Sequence, residues 1–160
     1  MTLTALQALT ASTGNHGQSI AYASKLFSTS CVIVVPNGAN PLKVEAIENL
    51  GAEVIFSGDA IEESQKQALK IAQERNMNYV HPANERLLIA GVATETLEIL
   101  DSVPDLDFLF VPIGAGSTAA GASLVVEKIN PRINHLGFNS CIIKPCDFAF
   151  ANNRNLFSTK

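Results

Sequence analysis

Apolar positions along this chain follow two rhythms: short unbroken apolar runs, and longer stretches where apolar residues recur every three to four positions. Cys31-Val32-Ile33-Val34-Val35 is an unbroken run ended by Pro36, the pattern of a strand buried on both faces. Ala52–Phe56, Tyr79-Val80, Phe108–Val111 and Ile133–Phe138 read as further strands, with Phe108–Val111 again buried. Helical stretches lie between them. Residues 17–27 carry Ile20, Ala21, Ala23 and Phe27. Pro41 sits near a helix start, Val44, Ile47 and Leu50 form one stripe, and Gly51 is a C-cap. Ile61–Arg75 is amphipathic, with Leu69, Ile71 and Ala72 apolar. Leu87–Leu100 and Thr118–Ile129 follow. Residues 1–10 offer only a short helical stub over Ala5, Leu6 and Leu9. Strands alternating with helices of this length predict βαβ units, hence an α/β fold with a parallel sheet covered by helices on both faces.

Composition narrows the partners. A net charge of −4 argues against nucleic acid. No apolar run approaches membrane-spanning length. Residues 1–10 carry no basic start, so no signal peptide is expected. The three cysteines, Cys31, Cys141 and Cys146, are odd in number and lack metal-type spacing. That favours reduced thiols in a cytoplasmic setting and no metal site.

Two glycine-punctuated loops each run into a helix. In Ser12-Thr13-Gly14-Asn15-His16-Gly17, Ser12 or Thr13 can serve as N-cap, and Gly14 and Gly17 allow a ligand close to the backbone. In Gly114-Ala115-Gly116-Ser117-Thr118, an apolar strand leads through glycines into the next helix. A helix N-terminus is an anion site, so the pair suggests one small ligand with two anionic ends. The bland readings are a capped helix and an ordinary βα turn. The second loop spaces its glycines G-x-G-x-x-x-x-G, which disfavours a dinucleotide fingerprint, and a P-loop is excluded because no Gly-Lys-Ser/Thr is present.

Taken in order, Ser-Thr-Gly-Asn-His-Gly-Gln, Gly-Ala-Glu-Val, His-Pro-Ala-Asn-Glu with Ile-Ala-Gly, and Val-Pro-Ile-Gly-Ala-Gly-Ser resemble the fold-type II pyridoxal-phosphate (PLP) enzymes. The resemblance covers Ser12 to about Gly137 and is nearest the threonine/serine ammonia-lyases (dehydratases) and serine racemase. It implies PLP as cofactor, a hydroxyamino acid as substrate, loss of water and ammonia to leave a 2-oxo acid, and a homodimer. It assigns the substrate carboxylate to Ser12, Thr13, Gly14, Asn15 and His16, and the cofactor phosphate to Gly114, Ala115, Gly116, Ser117 and Thr118. Asn15 would also meet the cofactor's phenolic oxygen. Ala115 stands where the family usually has glycine. Thr13 falls where serine racemase carries a proton-donating serine. Asn84-Glu85 and Leu88–Gly91 match a stretch that passes near the substrate, although Val92 and Ala93 depart from it. Lys43 reads as a surface residue, and His81 and His135 as loop or surface residues.

The same resemblance divides the chain into small-domain units over 1–80, part of a large domain over 81–138, and an aberrant tail over 139–160. The tail has no clear period, as a shifted frame or truncated gene would produce. The family's Schiff-base lysine belongs upstream of Ala11, where residues 1–10 contain no lysine, and no other lysine has its context. The expectation is a catalytically incomplete fragment of an ammonia-lyase. The alternatives are a non-catalytic domain binding PLP or another phosphate metabolite, a fragment of a racemase or other β-elimination lyase, or a remnant that folds poorly.

Overall fold

The computed structural model describes residues 7–138 and 148–151, and the chain divides between Pro82 and Ala83 into two compact units. The first unit is a four-stranded sheet with helices on both faces. Its elements are β1 (Ala8–Ala11), α1 (Asn15–Leu26), β2 (Cys31–Val35), α2 (Pro41–Asn49), β3 (Glu53–Phe56), α3 (Ile61–Glu74) and β4 (Asn78–Tyr79). The strand order is β3-β2-β1-β4, and every pairing is parallel. All five β2 residues are buried, as the unbroken apolar run requires. They divide between two cores. Val32 and Val34 pack with Leu9, Ala11 and the α3 residues Ala68, Ile71 and Ala72. Cys31, Ile33 and Val35 pack with Ala21 of α1 and with Val44 and Ile47 of α2.

One expectation is overturned at the start of this unit. Residues 8–11 are not a helical stub but β1, and Leu9 and Thr10 are fully buried. Alanine-rich Ala-Leu-Thr-Ala has little intrinsic strand preference. It is extended because it pairs on both sides, with Ala8 opposite Cys31 and Asn78. Leu69 also departs from expectation, lying on the outer side of α3 and substantially exposed while Ala68 turns inward.

The second unit contains α4 (Arg86–Ser102), β5 (Phe108–Pro112), α5 (Ser117–Ile129), β6 (Asn134–Phe138) and β7 (Phe148–Ala151). β5 and β6 pair in parallel, but β6 and β7 are antiparallel. The parallel expectation therefore holds through β6 and fails at β7, which falls in the segment that reads as aperiodic. The rest of that tail lies outside the described residues. β5 also differs from its expected double burial. Leu109 and Val111 face a core with Ala93, Leu100, Ala122, Val125 and Val126. Phe108 and Phe110 are 53% and 59% exposed, with ring centroids 6.4 Å apart. α4 and α5 pack closely at Gly121, where a Cβ would stand 3.0 Å from the Cα and N of Ala93. No helix among the described residues is long and apolar enough to cross a membrane.

Candidate functional site

Both glycine loops follow the C-terminal ends of parallel strands, the edge where open α/β sheets hold ligands. The first runs from β1 into α1. Ser12 is nearly buried, and its Oγ accepts hydrogen bonds from the N–H of Gly14 at 3.1 Å and of Gly17 at 3.0 Å. The N-cap residue itself is Gly14, so Ser12 caps the helix from two positions upstream. Its hydroxyl is engaged within the loop. Gly17 is also structural. A Cβ there would stand 3.2 Å from Ile33 Cγ2 and from Ser12 Cβ and 3.3 Å from Ile47 Cδ1, so its bareness lets α1 settle on the sheet rather than admit a ligand.

His16 turns inward. Its Nε2 lies 2.9 Å from Thr10 Oγ1, and the Thr10 hydroxyl donates to the Val80 carbonyl at 2.7 Å. Because Thr10 has spent its one proton on Val80, it can only accept from His16, which fixes Nε2 as the protonated ring nitrogen. Burial pulls the His16 pKa below its ordinary 6.5, and His81 adds to that, against an opposing effect of the Val80 carbonyl. The imidazole ring is thus part of the scaffold, and only its backbone N–H remains for a ligand. Thr13 and Asn15 are exposed, and their side chains have no hydrogen-bond partner among the described residues. These two are the side chains the loop presents outward.

The His16 environment has a pH consequence. An imidazole held neutral in the fold and free to protonate when unfolded contributes stability that is present above 6.5 and lost as pH falls below it. The melting temperature should therefore drop between about pH 7.5 and about pH 5.5, and less steeply in His16→Gln. Equal drops in both proteins would remove His16 as the cause.

The second loop runs from β5 into α5. Gly116 is its N-cap with φ +101°, a left-handed conformation that favours glycine. Ala115 is not among the positive-φ residues, so it occupies a conformation open to any residue. The helical ladder begins with Ala120 N–H donating to the Gly116 carbonyl at 3.0 Å, and no side chain caps the end. The N–H groups of Ser117, Thr118 and Ala119 are therefore the open donors of the helix. A Cβ on Gly114 or Gly116 would meet nothing within 4 Å, so the loop face is uncovered.

Ser12 to His16 belong to the first unit and Gly114 to Thr118 to the second. Asn84 and Glu85 precede α4, and Gly91 lies on its exposed side. Sequence reasoning missed Thr10, which a correct reading of β1 would have exposed as a polar residue within a buried strand. Lys43 is exposed, as expected of a surface residue, with its Nζ 3.6 Å from where a Cβ on Gly14 would stand. No group of His, Cys, Asp and Glu among the described residues could hold a metal ion.

Residues 4–155 match the family model described as pyridoxal-phosphate dependent enzyme. The chain is 35% identical over 132 residues to the biosynthetic L-threonine dehydratase of Haemophilus influenzae, covering 82% of this chain and 26% of that protein. It is 39% identical over 125 residues to serine racemase of Rattus norvegicus, covering 78% of this chain and 38% of that one. Among solved structures, the processed threonine deaminase isoform 2 of Solanum lycopersicum superposes with a TM-score of 0.78 at 28% identity, covering 87% of this chain and 39% of its own. This chain thus spans between a quarter and two-fifths of the length of these relatives. With its α/β fold and a match over most of its length, the chain belongs to the pyridoxal-phosphate-dependent enzymes.

Proposed function

We propose that these residues supply the phosphate loop and the substrate-carboxylate loop of a PLP-dependent ammonia-lyase acting on threonine or serine. The observation that carries this is the left-handed Gly116 opening an uncapped α5. It leaves three adjacent N–H donors and the positive end of a helix dipole free for a dianion. A phosphate fits that donor set, which contains no acid in the first turn of the helix. Ser117 and Thr118 add hydroxyl donors. PLP, when held there, supplies the electron sink that makes the amino-acid Cα–H acidic.

The chain's own residues then bind and orient. The N–H groups of Thr13, Asn15 and His16 would take the substrate carboxylate, with Ser12 and the His16 ring holding the turn in shape. Asn15, exposed on this loop, would offer its side-chain amide to the ligand. The Thr13 hydroxyl holds a proton at Oγ1 that it can deliver to the substrate Cα. The family lysine that anchors the cofactor has no counterpart among these 160 residues, so this chain alone should bind without turnover. The reading includes a homodimer and a reducing cytoplasmic compartment, in keeping with a free, buried Cys31.

The test compares PLP with pyridoxal, which lacks the phosphate. The 160-residue chain should hold PLP at least about tenfold more tightly, inorganic phosphate should compete, and threonine should yield no 2-oxo acid. Equal affinity for the two cofactors would refute the phosphate loop. Enzyme-like release of 2-oxobutanoate would refute the incompleteness.

A further inference from the structure

Asn37 is the one asparagine of the chain followed by glycine, and the pair sits in the loop between β2 and α2. The Ala39 N–H donates to the Pro36 carbonyl at 3.0 Å, which closes a turn with Asn37 and Gly38 at its two central positions. Both are exposed. The fold does not require the glycine: its φ is not left-handed, and a Cβ there would meet nothing within 4 Å. Its N–H donates no hydrogen bond among the described residues. A bare, unengaged backbone nitrogen thus lies next to the Asn37 side-chain amide. That amide has a task. Its Nδ2 donates to Asp59 Oδ1 at 3.1 Å, and the Asn37 N–H donates to the Gly58 carbonyl at 2.8 Å. The two bonds tie the end of β2 to the turn that leads from β3 into α3.

We propose that Asn37-Gly38 is a site of spontaneous covalent modification, deamidation through a cyclic imide, and that the product unfastens this tie. The Gly38 nitrogen gives up its proton and bonds to Asn37 Cγ. The Cγ–Nδ2 bond breaks, and Nδ2 leaves as ammonia with that proton. Water then opens the ring, at the side-chain carbonyl to leave aspartate, or at the backbone carbonyl to leave isoaspartate. Aspartate puts a carboxylate where Nδ2 donated, facing the Asp59 carboxylate, so repulsion replaces a hydrogen bond. Glu62 and Glu63, in the first turn of α3, add to that repulsion. Isoaspartate also lengthens the backbone by a carbon. Asn40 in the same loop is a built-in control: Pro41 follows it, so no N–H can attack, and its Oδ1 accepts from the Leu42 N–H at 3.0 Å.

The test keeps the 160-residue chain warm in mildly alkaline buffer and locates aspartate and isoaspartate by peptide mass spectrometry. Conversion at Asn37 should outrun that at Asn40 by at least about tenfold. Gly38→Ala, whose methyl shields the attacking nitrogen, should slow it by at least about fivefold while the fresh protein melts as the parent does. No faster conversion at Asn37 than at Asn40, or an equal rate in Gly38→Ala, would overturn the site. Asn37→Asp carries the aspartate product from the start. It should melt below the parent, and adding Asp59→Asn should narrow that gap. Equal melting of Asn37→Asp and the parent would overturn the unfastening.

Discussion

Gly121→Val is expected to destabilise the second unit by about 3 kcal/mol or more. The reason is what the new side chain would meet. Its Cβ would stand 3.0 Å from the Cα and N of Ala93 and 3.1 Å from the Ile89 carbonyl oxygen. These are backbone atoms of α4, which cannot step aside as a side-chain tip can, so the two helices must separate. Separation would uncover Ala93, Ala122 and Val126, which are now buried between them and β5. Gly121→Ala should cost less, because alanine's better helix propensity returns about 1 kcal/mol. Hydrogen exchange at the Leu109 and Val111 amides reads this unit without interference from the first. Unchanged protection in the valine variant would mean that α4 and α5 do not pack as described.

Thr10→Val should cost about 2–4 kcal/mol, although it conserves shape. The loss is the Thr10 hydroxyl's two hydrogen bonds at a buried position, one to His16 Nε2 and one to the Val80 carbonyl. Thr10 is completely buried, so water cannot replace the hydroxyl without opening the sheet. Thr10→Ser, which keeps the hydroxyl, should recover most of the loss. The His16 ring resonances report the effect directly, since the imidazole loses its acceptor. A valine variant as stable as the parent would show that the hydroxyl bridge carries no energy.

These two residues also mark what the chain's pattern reveals and conceals. β2 is legible because five consecutive apolar residues before a proline can only be buried on both faces. α3 is legible because Ile71 and Ala72 fall on one stripe, although the phase was misjudged by enough to misplace Leu69. The two loops are legible as motifs. β1 is concealed, because nothing in Ala-Leu-Thr-Ala favours a strand except two neighbours that lie 23 and 70 residues further along. With β1 unseen, Thr10 could not be recognised as a buried hydroxyl, nor His16 as its partner. Gly17 and Gly121 were invisible as packing glycines for the same reason, since close approach belongs to the partner element and not to the residue itself. Phe108 and Phe110 looked buried because an apolar run has no sidedness until a sheet supplies faces.

The placement of β1 between β2 and β4 also sets an order of events during folding. Leu9 must wait for Tyr79, its register partner on β4, while β2 and β3 pair across a connection of modest length. A chain emerging from the ribosome could assemble the β1-β2-β3 layers early. Thr10 would then hold an unfilled hydrogen-bond position until Val80 arrived. Of the pairings in the first unit, β4 with β1 joins residues furthest apart in sequence, so it is expected to form after the β1-β2-β3 layers. Until that pairing forms, the ligand loop after β1 has one of its two supporting strands missing.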